Sequence, residues 1–186
     1  MRERRFSKKH IPHRLFLVIC EGETERAYVE RLKLEYRLPI AIRTKVSGNR
    51  INARLVAQYV RELGVGDDME CSIFFIYDGD VPSVVANLKK IDGVLILSSP
   101  CIELWFLLHS KDCRGTLDSK SAVKELGLSH PVWASYTKGM ISDQQNEVLK
   151  LRRGDAIARA MRLSYPENPS SNMYVFIQAL EKEKKC

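Results

Sequence analysis

Leu15-Phe-Leu-Val-Ile-Cys-Glu-Gly-Glu-Thr-Glu25 places six apolar residues directly before a cluster of carboxylates. Six apolar residues in a row have the length of a strand. Without polar alternation they fit a strand covered on both faces, as in a parallel sheet. Thr24 to Tyr36 then reads as a helix with Tyr28, Leu32 and Tyr36 on one side, closed by Pro39. A buried strand, an acidic turn and an amphipathic helix form the first step of a βαβ series.

The same grammar continues outward. Ile40, Ile42, Thr44 and Val46 alternate as an edge strand, and Ser47-Gly48-Asn49 makes a turn. Ile51, Leu55, Val56, Tyr59, Val60 and Leu63 mark a second helix, closed by Gly64 and Gly66. Ser72-Ile-Phe-Phe-Ile-Tyr77 is a third strand and runs straight into Asp78-Gly79-Asp80. A helix over about Ser83 to Ile91, a strand over Val94 to Leu97 and an apolar helix over Ile102 to His109 follow.

After residue 111 the strand signals stop. A short helix near Ser121 to Leu126, a longer one around Gln144 to Leu163 and a last one over Met173 to Lys182 are expected, with the turn-rich Tyr165 to Ser171 before the last. The expected architecture is therefore α/β, with a mostly parallel four-stranded sheet in the order 2-1-3-4 flanked by helices. A basic arm (1–13) precedes a core (14–110), and a mainly helical extension (111–186) packs on that core.

A total of 186 residues suits one compact domain. No apolar run approaches the ~20 residues needed to span a bilayer, and the basic start is followed by too short an apolar run for a signal peptide, so a cytoplasmic location is expected. Five cysteines form neither an even set nor a C-x-x-C pair, so they read as reduced thiols rather than disulfides or zinc ligands. The formal charge of +7 favours an anionic partner, with DNA and RNA both open. The oligomeric state is also open, with a homo-oligomer among the alternatives.

Chemistry is concentrated where strands end. Strands one and three are neighbours in the 2-1-3-4 order and their connections leave to opposite faces, so a crevice opens at their carboxyl ends. Glu21 and the pair Asp78 and Asp80 would face it. Hard oxygen ligands with no His or Cys beside them suit Mg2+ or Mn2+, and three carboxylates gathered without a cation would repel one another. Glu23 and Glu25 lie in the first helical turn, where the dipole alone favours carboxylates. For Glu23 that structural role suffices.

Val18-Ile-Cys-Glu-Gly-Glu-Thr-Glu25 and Tyr77-Asp-Gly-Asp80 resemble the E-G-x-x-E and D-x-D elements of the Toprim fold, found in topoisomerases, primases and overcoming-lysogenization-defect nucleases. With Pro100-Cys-Ile-Glu-Leu-Trp-Phe-Leu-Leu-His109 and Asn168-Pro-Ser-Ser171, the chain is more narrowly similar to the RloB family over roughly residues 14 to 180. The resemblance implies a nuclease from restriction-linked bacterial loci, associated with abortive phage resistance and often encoded beside an ATPase partner protein. It would make Glu21 the Toprim glutamate, Glu25 the second glutamate of nuclease-type members, and Asp78 and Asp80 the metal-binding pair. Gly79 departs from the many relatives that carry Arg or Lys there, which removes a phosphate contact.

Glu103 follows the fourth strand, where it would ligand a second metal, position water, or serve only as a cap or ion-pair partner. His109 and Lys138 are auxiliary candidates, one for protonating a leaving alkoxide and the other for stabilising phosphorane charge. A core histidine and a solvated lysine are the plainer alternatives. Asn168 is either a residue beside the ligand or the start of the final helix. The expected activity is metal-dependent phosphodiester cleavage. The alternative is a non-catalytic Toprim-like module that binds nucleic acid or the ATPase partner as a sensor or adaptor.

Overall fold

The computed structural model describes residues 14–65 and 69–184. The arm at 1–13, Gly66 and Cys186 lie outside the described residues. The elements in chain order are β1 (Arg14–Cys20), α1 (Glu23–Tyr36), β2 (Ala41–Val46), α2 (Ala53–Glu62), β3 (Glu70–Asp78), α3 (Pro82–Leu88), β4 (Val94–Ser99), α4 (Ile102–Leu108), α5 (Ser119–Ser129), α6 (Asp143–Leu151), α7 (Arg153–Ala160), β5 (Ser170–Ser171) and α8 (Met173–Lys184).

The sheet order is β2-β1-β3-β4-β5, parallel except for β5. β1 is covered on both faces, as its unbroken apolar run requires. Phe16, Val18 and Cys20 point into a large core shared with α1, α4 and α8, while Leu17 and Ile19 point into a smaller one shared with α2 and α3. Full burial of each such side chain contributes roughly 1.5–3 kcal/mol, so β1 anchors both layers. Cys20, Cys101 and Cys113 are buried free thiols.

The sheet has five strands rather than four. β5 has no apolar run to announce it. Ser170 and Ser171 pair antiparallel with Ser99 and Ser98, and the Ser98 and Ser171 hydroxyls meet at 2.8 Å. Asn172 continues the ladder with its side chain, accepting the Leu97 N–H at 2.7 Å and donating to the Leu95 carbonyl at 3.0 Å. The C-terminal part thus supplies a strand as well as helices, and Phe176 of α8 packs edge-on against Phe74 of β3.

The single helix expected over 144–163 is two. Arg152 leaves helical geometry at φ −105° and ψ 14°, and the next residue, Arg153, turns inward. Its guanidinium grips Glu35 through 2.6 and 2.8 Å bonds and lies over the Tyr36 ring. A two-bond guanidinium–carboxylate fork is directional enough to fix the local backbone.

Candidate functional site

Parallel register brings the strand ends level. Cys20 pairs with Ile76, and the Glu21 N–H donates to the Ile76 carbonyl at 3.0 Å. The Glu21 Oε2 then accepts the Asp78 N–H at 2.9 Å, so the end of β1 is tied to the end of β3 through a carboxylate. The Asp78 Oδ1 accepts the Ile102 N–H at 2.9 Å, which ties β3 to the start of α4. Glu25 reaches back from the first turn of α1 to accept the Gly22 N–H at 2.8 Å. Backbone amides thus fix the three carboxylates from three different elements.

These groups line a cavity of about 320 Å³ together with Gly22, Glu23, Thr24, Glu103, Lys138 and Gly139. Glu103 is fully buried in α4. Its Oε1 accepts the Tyr136 hydroxyl at 2.9 Å and lies 3.5 Å from the Lys138 ammonium, while its Oε2 has no hydrogen-bond partner. A buried carboxylate oxygen without a partner is costly. The segment carrying Tyr136 and Lys138 is held at both sides. The Tyr136 ring packs edge-on against Phe106 and Trp133, and the Gly139 N–H donates to Thr24 Oγ1 at 2.8 Å.

The cavity is short of positive charge. Burial, then the charges of Glu25, Glu21 and Glu103, push the Asp78 carboxyl up to about 9. Burial also raises Glu21, with Asp80 adding to it, and raises Glu25, with Glu103 and Glu21 adding to it. Lys138 is the one cation among the lining residues. Among the described residues, no three His, Cys, Asp or Glu side chains form a ready-made chelate. Glu21, Glu25 and Asp78 each spend an oxygen on a backbone amide, yet an ionised carboxylate has about four acceptor sites, so each can still take a cation. An all-oxygen donor set with an orphaned Glu103 Oε2 fits a hard divalent cation.

Not every candidate converges there. Asp80 is exposed, stands outside the lining and accepts a 3.3 Å bond from the Ser119 hydroxyl. His109 is buried at the other end of α4. Its Nδ1 donates to the Trp105 carbonyl at 2.9 Å, its ring meets Trp105 edge-on, and burial lowers its pKa to about 3. It is a neutral core histidine, removed from the cavity. Asn168 clamps residue 117, accepting the Leu117 N–H at 3.1 Å and donating to the Leu117 carbonyl at 2.7 Å. That bond pair is structural, and Asn168 is not among the residues that line the cavity.

Sequence reasoning missed Tyr136 and Thr24. The only signal was that Tyr136 and Gly139 flank Lys138, a pattern that does not show which element the segment folds against. Gly79 also has a reason of its own. A Cβ there would lie 2.9 Å from Ser99 Cβ, because the Gly79 N–H donates to the Ser98 carbonyl at 2.8 Å and draws the two strand ends together.

A family model described as RloB-like protein matches residues 16–180. No curated protein and no solved structure matches the chain.

Proposed function

Since the chain belongs to the RloB-like family, we propose that its carboxylate cavity is the centre of a Toprim-type, divalent-metal-dependent nuclease acting in anti-phage defence. The observation that carries this reading is the gathering of Glu21, Glu25, Asp78 and Glu103 around one cavity, where burial and the neighbouring carboxylates push the Asp78 carboxyl up to about 9. Carboxylates crowded in this way favour a cation among them, and strongly perturbed groups gathered in a cleft mark functional sites.

Glu21 and Asp78 would hold Mg2+ or Mn2+, with Glu25 and Glu103 beside them and Asp80 at the rim. When bound, the ion supplies charge neutralisation to a phosphodiester. The protein's own contribution is orientation. The Asp78 and Ile102 amides fix the Glu21 and Asp78 carboxylates before substrate arrives, which limits reorganisation during reaction. In the hydrolysis, the oxygen of water bonds to phosphorus, the ester P–O bond breaks, and a proton passes to the leaving oxygen. His109, buried and outside the cavity lining, is not assigned that proton. The surplus of 30 Lys and Arg over 23 Asp and Glu supports a nucleic-acid substrate through phosphate contacts.

The test is cleavage of labelled DNA and RNA pools by the purified protein with Mg2+, Mn2+ or EDTA. Cleavage that requires a divalent ion and disappears in Glu21→Gln supports the reading. Cleavage that survives EDTA or Glu21→Gln overturns it.

A further inference from the structure

We infer that Lys138 is a tethered counter-ion that makes the carboxylate cavity selective for divalent over monovalent cations. This rests on the reading of the cavity as a divalent-cation site. Four carboxylates, Glu21, Glu25, Asp78 and Glu103, line the cavity together with this single lysine; Glu23 also lines it but is paired with Arg26 at 2.6 Å. The Lys138 ammonium stands 3.5 Å from Glu103 Oε1, and the two side chains are 57% and 1% exposed. One end of the pair is therefore locked in the core and the other is free to turn into solvent.

The backbone around Lys138 is not what would move. Tyr136 is held by its hydroxyl bond to Glu103 and by two ring contacts, and Gly139, at φ +85°, is held by Thr24. Withdrawal of the ammonium requires only rotation about the lysine's own side-chain bonds, which is fast. While the ammonium is in place, a K+ or Na+ ion entering beside it meets a like charge, and one that replaces it adds no charge and sheds water. A divalent ion adds a net unit of charge among crowded carboxylates and interacts about twice as strongly with each of them at a given distance. The lysine thus sets a threshold that only the higher charge passes. Because it is tethered, it competes at a fixed effective concentration whatever the surrounding salt.

The experiment is a calorimetric titration of Mn2+ into the metal-free full chain for wild type, Lys138→Met and Lys138→Arg, each first shown to melt cooperatively. Lys138→Met is expected to bind Mn2+ at least 5-fold tighter than wild type, with Lys138→Arg within about 2-fold of it, on the Coulomb argument above. In parallel, the melting temperature is compared in KCl and in choline chloride at equal ionic strength, where screening is matched. Lys138→Met is expected to gain stability from K+, and wild type is not. Equal Mn2+ affinity in all three proteins overturns this inference and leaves the cavity reading intact. No Mn2+ binding by any of them overturns both. A K+ effect as large in wild type as in Lys138→Met overturns the claimed selectivity.

Discussion

Tyr136 donates its hydroxyl to Glu103 Oε1 at 2.9 Å, joining the segment between α5 and α6 to a carboxylate buried at the start of α4. The bond holds this segment, which carries Lys138 and Gly139, against the cavity they line. Burial and then the charge of Glu103 push the tyrosine hydroxyl well above its usual range, so it stays a donor.

Tyr136→Phe keeps the ring contacts with Phe106 and Trp133 and removes only that donor. Glu103 Oε1 then keeps the Lys138 ammonium at 3.5 Å but loses its hydroxyl donor. Leaving a buried acceptor short of a partner costs about 1–3 kcal/mol, read as a lower midpoint in urea unfolding. A loss below about 0.5 kcal/mol would show that the bond does not hold the segment.

Asp78 gives the metal-free protein a pH dependence of definite sign. Its carboxyl, ordinarily 3.8, is raised to about 9 in the fold by burial and its acidic neighbours. Folding therefore favours the protonated form, and the contribution is fully present below pH 3.8 and lost as pH rises toward 9. In EDTA, wild type should lose more melting temperature between pH 5.5 and 8.5 than Asp78→Asn, whose amide oxygen can still accept the Ile102 N–H. Parallel pH profiles for the two proteins would show that Asp78 is not crowded.

Gly79→Ala would place a Cβ 2.9 Å from Ser99 Cβ and 3.3 Å from its Cα. Overpacking against backbone that cannot easily move costs about 1–3 kcal/mol. Gly79→Ala combined with Ser99→Gly should recover roughly half of that or more, since the pair interacts directly. Additive losses in the double variant would mean that the clash lies elsewhere.

The central parallel strands were legible because buried strands carry unbroken apolar runs, as in Leu15 to Cys20 and Ile73 to Tyr77. Their order places Glu21 and Asp78 together, and burial of α4 brings Glu103 to the same cavity. β5 was not legible, because a two-residue strand held by serine hydroxyls and the Asn172 side chain leaves no apolar pattern. Nor was the break at Arg152, which follows from the long-range grip of Arg153 on Glu35. Lys138 could be named but not placed, since its position depends on aromatic packing of Tyr136 against Phe106 and Trp133. The D-x-D spacing gave Asp78 and Asp80 equal standing, yet Asp78 is drawn inward by the Ile102 amide while Asp80 faces solvent and Ser119.

Whether the cavity takes a divalent ion is read most directly from the electron paramagnetic resonance signal of free Mn2+, titrated into metal-free wild type, Glu21→Gln and Asp78→Asn. Both substitutions replace an ionisable lining carboxyl with an amide while keeping a side-chain oxygen for the backbone amide that each carboxylate accepts. Wild type should deplete the free-ion signal, and the two variants should leave it close to that of buffer, because hard cations depend on carboxylate charge. A wild-type signal indistinguishable from buffer at millimolar Mn2+, or equal depletion by all three proteins, would contradict the metal site and favour a non-catalytic binding module instead.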